Sequence, residues 1–472
     1  MNLIVICLDT FRADCLGALG RNPEVRTPNL DRLAAEGVVF ENAFGEGQPT
    51  IEYRRALITG MRTFPWSCDY DTRGLWPNGH GWHKVSPAHD TLAEVLLEQG
   101  YVTGFFSDTY HMFKPTQNFT RGFCSYEFVR GQETDNYRTG PLSAIDVKKF
   151  IPPDLGPEEA NGTLVQYLLN MQDRRGESDW TSAQVFEKAG RFLEDNRDNG
   201  PLFLWIDSFD PHEPWDPPRR FADMYDPDWS EAWEPIYGYF DRDERTAKRS
   251  RALYLGECTF VDELLGGLLG KVDKLGLRED TLIVVTSDHG TELGDHGVFG
   301  KGRHNCRYRH NNEILLLMRL PGGRAAGTRL PALVQNHDIM PTVLEMLGAS
   351  RGEMDGCSLV PLIEGRVEKV RDLAVTGWGE RASVRSLTHS YSVDFTSEEL
   401  DEHLFDTDSD PGERRNIAAE EPGICRRHRG ELESMLRQEL PATLRDRIYR
   451  TTAPCRIWLE SGEKRRQLGP KA

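Results

Sequence analysis

Four short apolar runs each break off into carboxylates or hydroxyls, and this pattern restricts the fold more than any other feature of the chain. Leu3–Leu8 ends at Asp9, Tyr101–Phe106 at Ser107-Asp108, Pro201–Ile206 at Asp207, and Thr281–Thr286 at Ser287-Asp288-His289. A strand that is almost continuously apolar is buried on both faces, as in a parallel sheet covered by helices on either side. Helical patterns alternate with these runs: Asn29–Gly37, the amphipathic stretch His89–Gly100 with its glycine stop, Ser182–Asn196, Ala252–Leu275 and His337–Leu347. Glu313–Leu320 adds a further apolar strand. The alternation predicts an α/β fold with a large, mostly parallel central sheet flanked by helices. In such sheets ligands gather outside the carboxyl ends of the strands. The polar residues that close the four runs therefore nominate one site.

Length and charge narrow the possibilities. A chain of 472 residues suits one large α/β domain with a smaller appendage, and 38% hydrophobic residues are enough for a real core. The net charge of −18 disfavours nucleic acid and anionic membranes as partners. The first apolar run is too short for a signal peptide and lacks a basic leader. No stretch approaches the ~18 apolar residues of a spanning helix. Nine cysteines without CxxC pairing or regular spacing point to reduced thiols and a cytoplasmic protein. Residues 112–180 and 213–250, rich in Pro, Gly, Trp and charge, read as long excursions over the site edge. The expected division is a large domain over 1–350, a small C-terminal α+β subdomain over 351–440, and a basic tail over 441–472.

Two clusters carry chemistry. Asp9, Asp288 and His289 offer two carboxylates and an imidazole at strand ends, a donor set for a divalent cation. Each aspartate alone is equally explained as a helix cap. Thr50 stands where a helix begins, with Arg54 one turn on along the same face. A hydroxyl there meets the positive end of the helix dipole and free N–H groups, which favours an alkoxide and an anionic substrate. Taken alone, Thr50 is more simply an N-cap.

Six stretches together resemble the sulfatase branch of the alkaline phosphatase superfamily. They are LDTFRAD at Leu8–Asp14, TPNLDRLAAEGVVFENAF at Thr27–Phe44, RRALITGMRT at Arg54–Thr63, DPHEPW at Asp210–Trp215, TSDHGTELGDHGVFGKG at Thr286–Gly302 and HLFDTDSDPGERRNIA at His403–Ala418. The matches keep the family's order up to about residue 440. The resemblance implies an alkaline phosphatase-like catalytic domain over 1–350, with Asp9, Asp288 and His289 as metal ligands. Thr50 occupies the nucleophile position and is a further metal contact. Arg54 supports nucleophile and metal, His212 lies on the substrate side, and Lys301 binds ester oxygens. His111 aligns with the histidine of the family's "GKWH", and with Asn78 and His304 completes the substrate-binding candidates. The plainer alternatives are buried core histidines for His212 and His111, a solvated loop lysine for Lys301, and a turn at Asn78.

The departures alter the expected chemistry. Sulfatases carry Cys or Ser within C/S-x-P-x-R and oxidise it to formylglycine, whereas this chain has Thr50-Ile51-Glu52-Tyr53-Arg54. Threonine cannot give that aldehyde, and Glu52 replaces the proline that the modifying machinery reads, so no formylglycine is expected. Thr10 replaces the second aspartate of the N-terminal pair, and Thr109 replaces the lysine of "GKWH". Threonine nucleophiles in the superfamily belong with phosphodiesterases, phosphonate-acting hydrolases and phosphoryl transferases, usually with two metals. The expected cofactor is a divalent ion (Mn, Zn, Ca or Mg), with Asp207, Asp210, His212, His304 and His310 as the pool for a second and His296 near in sequence. The leading expectation is a metal-dependent hydrolase cleaving phosphate or phosphonate mono- or diesters through Thr50. Sulfate ester hydrolysis without formylglycine and a soluble phospho- or sulfo-group transferase are the alternatives. A binding protein that has lost catalysis fits poorly with retention of Asp9, Arg54, Asp288, His289 and Lys301. The partner is then a small-molecule ester, with no nucleic acid or membrane, and a homo-oligomer is left open.

Overall fold

The structure, a computed structural model, describes residues 1–72, 79–114, 117–237, 243–448 and 453–460. An eight-stranded sheet runs in the order Thr328–Gln335, Val38–Phe44, Leu316–Arg319, Thr281–Ser287, Asn2–Leu8, Leu202–Ser208, Val102–Ser107, Ser125–Phe128. Every neighbouring pair is parallel except the two made by Leu316–Arg319, so the sheet is mostly parallel as the alternation requires. Asn2–Leu8 lies near the middle with each residue buried, because alternate side chains feed two separate cores. Ile4, Ile6 and Leu8 pack with the helices Thr181–Asn196 and Glu244–Lys274. Leu3, Val5 and Cys7 pack on the other face with Thr50–Thr59, Leu92–Glu98 and Ile339–Leu347.

A second sheet, of five strands, follows the order His403–Asp406, His389–Asp394, Arg381–Arg385, Ala374–Trp378, Gly47–Gln48. Cys425, Leu432 and Leu436 of the helix Pro422–Leu436 share its apolar core. The strand Gly47–Gln48 comes from far earlier in the chain and pairs in parallel with Gly377 and Trp378. The backbone just ahead of Thr50 is thus clamped to the C-terminal sheet, while the helix that Thr50 opens packs on the central one.

Several sequence expectations need correction. The segment 112–180 is more than an excursion. It supplies Ser125–Phe128, the outermost strand, and the buried helix Gly162–Met171. The long helix begins at Glu244, so 244–250 does not belong to the second excursion. Its first turns read as polar because buried Arg249 is neutralised by Glu234 and Asp223. The tail is partly packed: Arg445–Ile448 pairs with Ser67–Thr72, and Leu459 of the helix Pro454–Glu460 is buried. Among the described residues no helix is long and apolar enough to cross a membrane.

Candidate active site

Sheet register brings the acids together. Leu8 pairs with Ser208 on one side and Ser287 on the other, so the next residues, Asp9 and Asp288, leave adjacent strands at the same edge. Thr10 then adopts φ of +63°, a left-handed conformation uncommon for a β-branched residue. That turn lets its N–H donate to Asp288 Oδ1 at 2.9 Å and its hydroxyl to Asp9 Oδ1 at 2.8 Å. Gly290 follows His289 where a Cβ would lie 2.0 Å from the His310 carbonyl oxygen, so only glycine fits.

Arg54 sits beneath this edge, fully buried, and every nitrogen is engaged. Nε and Nη2 grip Asp207 in a fork at 2.8 Å each, and Nη2 also lies 3.2 Å from Asp9 Oδ2. Nη1 donates to Asp288 Oδ2 at 2.6 Å and to the Thr50 carbonyl at 3.1 Å. Arg54 therefore directs its guanidinium at the three acids and the Thr50 backbone. These contacts hold the Thr50 backbone beside the acids. Asp207, expected in the pool for a second metal, is consumed by this fork and by the Thr109 hydroxyl at 2.6 Å.

Charge arithmetic shows what the cluster lacks. Three buried carboxylates, Asp9, Asp207 and Asp288, face one guanidinium. Burial and the neighbouring Asp288 charge push Asp9 well above the usual carboxylate range. Asp288 is also penalised by burial, but His289 and Arg54 hold it below that range. His289 Nδ1 lies 2.9 Å from the Gly290 carbonyl, which fixes the proton there and keeps Nε2 as a lone pair. Burial lowers this imidazole to about 4, so it is neutral near pH 7. Nε2 and Asp9 Oδ2 are both buried without a hydrogen-bond partner, and Nε2 sits 3.6 Å from Asp288 Oδ2. A lone pair facing a carboxylate is an arrangement that a cation between them stabilises. Donor atoms of Asp9, Asp288 and His289 all lie within 4.8 Å of one another, so the residues present fit a divalent ion. Saturating Mn²⁺ or Zn²⁺ should raise the stability of chelator-treated protein by about 2.7 kcal/mol at a hundredfold excess over Kd. A thermal or urea midpoint that does not move on metal addition contradicts this assignment.

Thr50 is the first residue of the helix Thr50–Thr59 and is 2% exposed. Pro49 occupies the N-cap position, and Thr50 is the first helical residue. The plain N-cap explanation for this hydroxyl is therefore removed. Glu52, at the family's proline position, is buried with both oxygens unpartnered, and burial pushes its carboxyl well above the usual range. It packs near Gly47 and Gly81 as a neutral core residue.

Lys301 bridges the Asp9–Thr10 strand end and the DPHEPW stretch. Its Nζ donates to Thr10 Oγ1 at 3.0 Å and to Glu213 Oε2 at 2.7 Å. Sequence reasoning passed over Glu213; the signal was its place in DPHEPW beside the candidate His212. Despite burial, Lys301 holds the Glu213 carboxyl down to about 2. His212 Nδ1 donates to the Glu213 carbonyl at 2.5 Å, and its ring stacks on Phe209. Burial and Lys301 lower His212 to about 3, leaving a neutral imidazole. His111 is buried among Trp82, Tyr110 and Phe209 with Nδ1 unpartnered. His304 is exposed on the short helix Arg303–Arg307, and Asn78 lies outside the described residues.

Asp210, also in the pool, turns away from the cation cluster. Its Oδ2 accepts from Ser182 and its Oδ1 from Gln132 Nε2, which also donates to Asp108 Oδ2. Burial and Asp210 raise Asp108 to about 7. A carboxyl with a raised folded-state pKa binds more protons folded than unfolded, so its stabilisation is lost as pH rises through about 7. Asp108→Asn should flatten the fall in stability between about pH 4 and 7, by on the order of a few kcal/mol. An unchanged slope in urea denaturation across that range would contradict it.

Comparison with known proteins places this geometry in a family. The Sulfatase family profile matches residues 1–349, and the N-sulphoglucosamine sulphohydrolase C-terminal profile matches 294–442. The chain belongs to the sulfatase family of the alkaline phosphatase superfamily and is a sulfatase-family hydrolase. It is 27% identical to an arylsulfatase of Clostridium perfringens, over 88% of this chain and 90% of the other. It is 28% identical to the multifunctional alkaline phosphatase superfamily protein PehA of Trinickia caryophylli, over 77% of each. Its fold superposes on the phosphonate monoester hydrolase of Agrobacterium radiobacter with a TM-score of 0.72, at 23% identity, covering 92% of this chain and 95% of that one.

Proposed function

We propose that this protein hydrolyses phosphate or phosphonate mono- or diesters with Thr50 as nucleophile. The observation that carries the reading is a buried hydroxyl at the first helical position, tied through Arg54 to a carboxylate–imidazole cluster able to hold a metal ion. Asp9, Asp288 and His289 would hold a divalent ion. When bound, it lowers the pKa of a nearby hydroxyl and offsets charge that develops on ester oxygens. Thr50 Oγ forms a bond to phosphorus as the bond to the leaving oxygen breaks, and that oxygen takes up a proton. Water then attacks phosphorus, the Thr50 bond breaks, and the threonine hydroxyl regains its proton. Lys301, between Thr10 and Glu213, is the cation that turns toward the non-bridging oxygens. Neutral His212 has Nδ1–H committed to the Glu213 carbonyl, which leaves Nε2 to take or return a proton. The naming of relatives as a phosphonate monoester hydrolase and as a multifunctional superfamily protein supports the phosphorus reading.

Sulfate ester hydrolysis is the second reading, favoured by the arylsulfatase relative and by a choline-sulfatase of Rhizobium meliloti at 29% identity over 88% of this chain. A sulfated threonine lacks the carbonyl re-formation available to formylglycine, so water must attack sulfur directly. Matched aryl phosphate, phosphodiester, phosphonate monoester and sulfate esters, assayed with Mn²⁺, Zn²⁺, Ca²⁺ or Mg²⁺, separate the two. The phosphorus esters are expected to turn over faster; turnover of the sulfate ester alone would overturn the proposal. All nine cysteines are unpaired, which supports a cytoplasmic setting.

A further inference from the structure

Away from the Asp9–Asp288–His289 cluster, Glu292, His296 and His310 bring a carboxylate and two imidazoles together, with donor atoms within 4.8 Å of one another. Glu292 lies on the short strand Glu292–Leu293, which pairs with Phe299–Gly300 immediately before Lys301. The partners around this cluster leave three donor atoms converging. Asn311 Nδ2 donates to Glu292 Oε1 at 2.8 Å, which leaves Oε2 for the cluster. His296 Nε2 lies 2.9 Å from the Gly412 carbonyl, an acceptor only, so the proton of a neutral ring sits there. Tyr308 stacks flat on the His296 ring, with centroids 3.6 Å apart and planes within 4°. The remaining nitrogen, Nδ1, then points a lone pair at Glu292 Oε2, 2.7 Å away.

A lone pair against a carboxylate again calls for a positive charge, either a second proton on His296 or a metal ion. His310 discriminates between them. Its Nδ1 is buried and has no hydrogen-bond partner, and a proton held between Glu292 and His296 gives it none. The carboxylate nearest to it, Asp295 Oδ2 at 3.8 Å, already accepts from Arg12 and from the Leu293 N–H. A cation takes one donor atom from each of the three residues, all within 4.8 Å of one another. Imidazole hydrogen-bonded through its far nitrogen to a carbonyl, and a carboxylate held by an amide, are how ligands are oriented around bound metals. Two histidines and one carboxylate form a zinc-type set with a fourth position open to water. Donors about 2.0–2.1 Å from a tetrahedral ion lie about 3.3 Å apart, so Glu292 and His296 need separate by only about half an ångström.

We propose that Glu292, His296 and His310 form a second divalent-cation site, of zinc type, that joins the hairpin leading to Lys301 to the C-terminal turn at Gly412. It shares no residue with the first cluster. Among the described residues these are the two groups able to hold a metal through three such side chains, and the pool expected for a second ion beside Thr50 is otherwise dispersed. The ion is a positioning device: it sets the hairpin from which Lys301 reaches the site.

The test is metal stoichiometry of the full chain, stripped with chelator, reloaded with Zn²⁺ alone and gel-filtered before elemental analysis. Two equivalents are expected in the unaltered protein and one in His310→Ala. Asp9→Asn should lose the other equivalent, while Asp9→Asn with His310→Ala retains none. One equivalent in the unaltered protein, or two in folded His310→Ala, overturns the proposal. If His310→Ala does not fold, Co²⁺ loading of the unaltered protein decides. Two successive absorption signatures, one from a two-histidine site, are expected, and a single signature overturns it. These readouts need no turnover, so they stand apart from the assay of the phosphoesterase reading. As a check on position, loss of this ion should raise KM for an anionic ester more than it lowers kcat.

Discussion

Thr50→Ala should lower turnover by about ten-thousandfold or more while leaving the protein folded. Removal of a nucleophile that works as a unit with its activating partners produces losses of that order. The structural cost is small for a specific reason. Pro49, not Thr50, is the N-cap. A capping threonine would cost about 1 kcal/mol on truncation, whereas alanine at a first helical position is well tolerated. Thr50→Ser keeps the hydroxyl and should retain measurable activity, which separates loss of the oxygen from loss of the methyl. Steady-state kinetics with a urea denaturation curve for each variant check both halves. Near-normal turnover in Thr50→Ala would remove this residue from the mechanism.

Arg54→Met carries the largest expected loss of stability, about 3–5 kcal/mol or more. Deleting one partner of a buried ion pair strands the other charge, and here three carboxylates depend on one guanidinium. Arg54→Lys should rescue little, because an ammonium cannot grip Asp207 with two parallel N–H donors while also reaching Asp288. The deficit should shrink as pH falls, since the stranded acids then take up protons. It should also shrink when Asp207→Asn is added in the same chain. Urea midpoints for the single and double variants make the comparison, and an Arg54→Met protein as stable as the parent would show that the acids are compensated elsewhere.

The carboxyl-edge site was legible because physics wrote it into short stretches. A central parallel strand must be apolar at nearly every position, so Leu3–Leu8 and Thr281–Thr286 stand out, and the residues that follow them face the ligand edge. The strands Val38–Phe44 and Thr328–Gln335 were not legible. The first carries Glu41 and Asn42 near the sheet margin, where their side chains escape complete burial. The second contains Pro331, which ordinarily argues against a strand. It survives at the sheet's outer edge, where the register shifts between Leu330 and Leu333. The Arg54–Asp207 fork was not legible, because no spacing announces that Asp207, more than 150 residues away, will occupy it. Glu213 and the Asn311–Glu292 and Gly412–His296 partnerships are contacts of the same kind.

The departures from the family pattern make sense together in the fold. Thr10 stands where an aspartate is expected and Thr109 where a lysine is expected, so one negative and one positive charge disappear together. Thr10 hands its hydroxyl proton to Asp9 and accepts from Lys301, while the Thr109 hydroxyl donates to Asp207. Each threonine holds one of the acids that Arg54 gathers.

A crystal structure of the metal-loaded protein with vanadate bound decides whether Thr50 is the nucleophile. Vanadium is expected to be bonded to Thr50 Oγ, next to an ion held by Asp9, Asp288 and His289. Vanadate seated elsewhere, or a Thr50 hydroxyl turned away from that ion, would contradict that role.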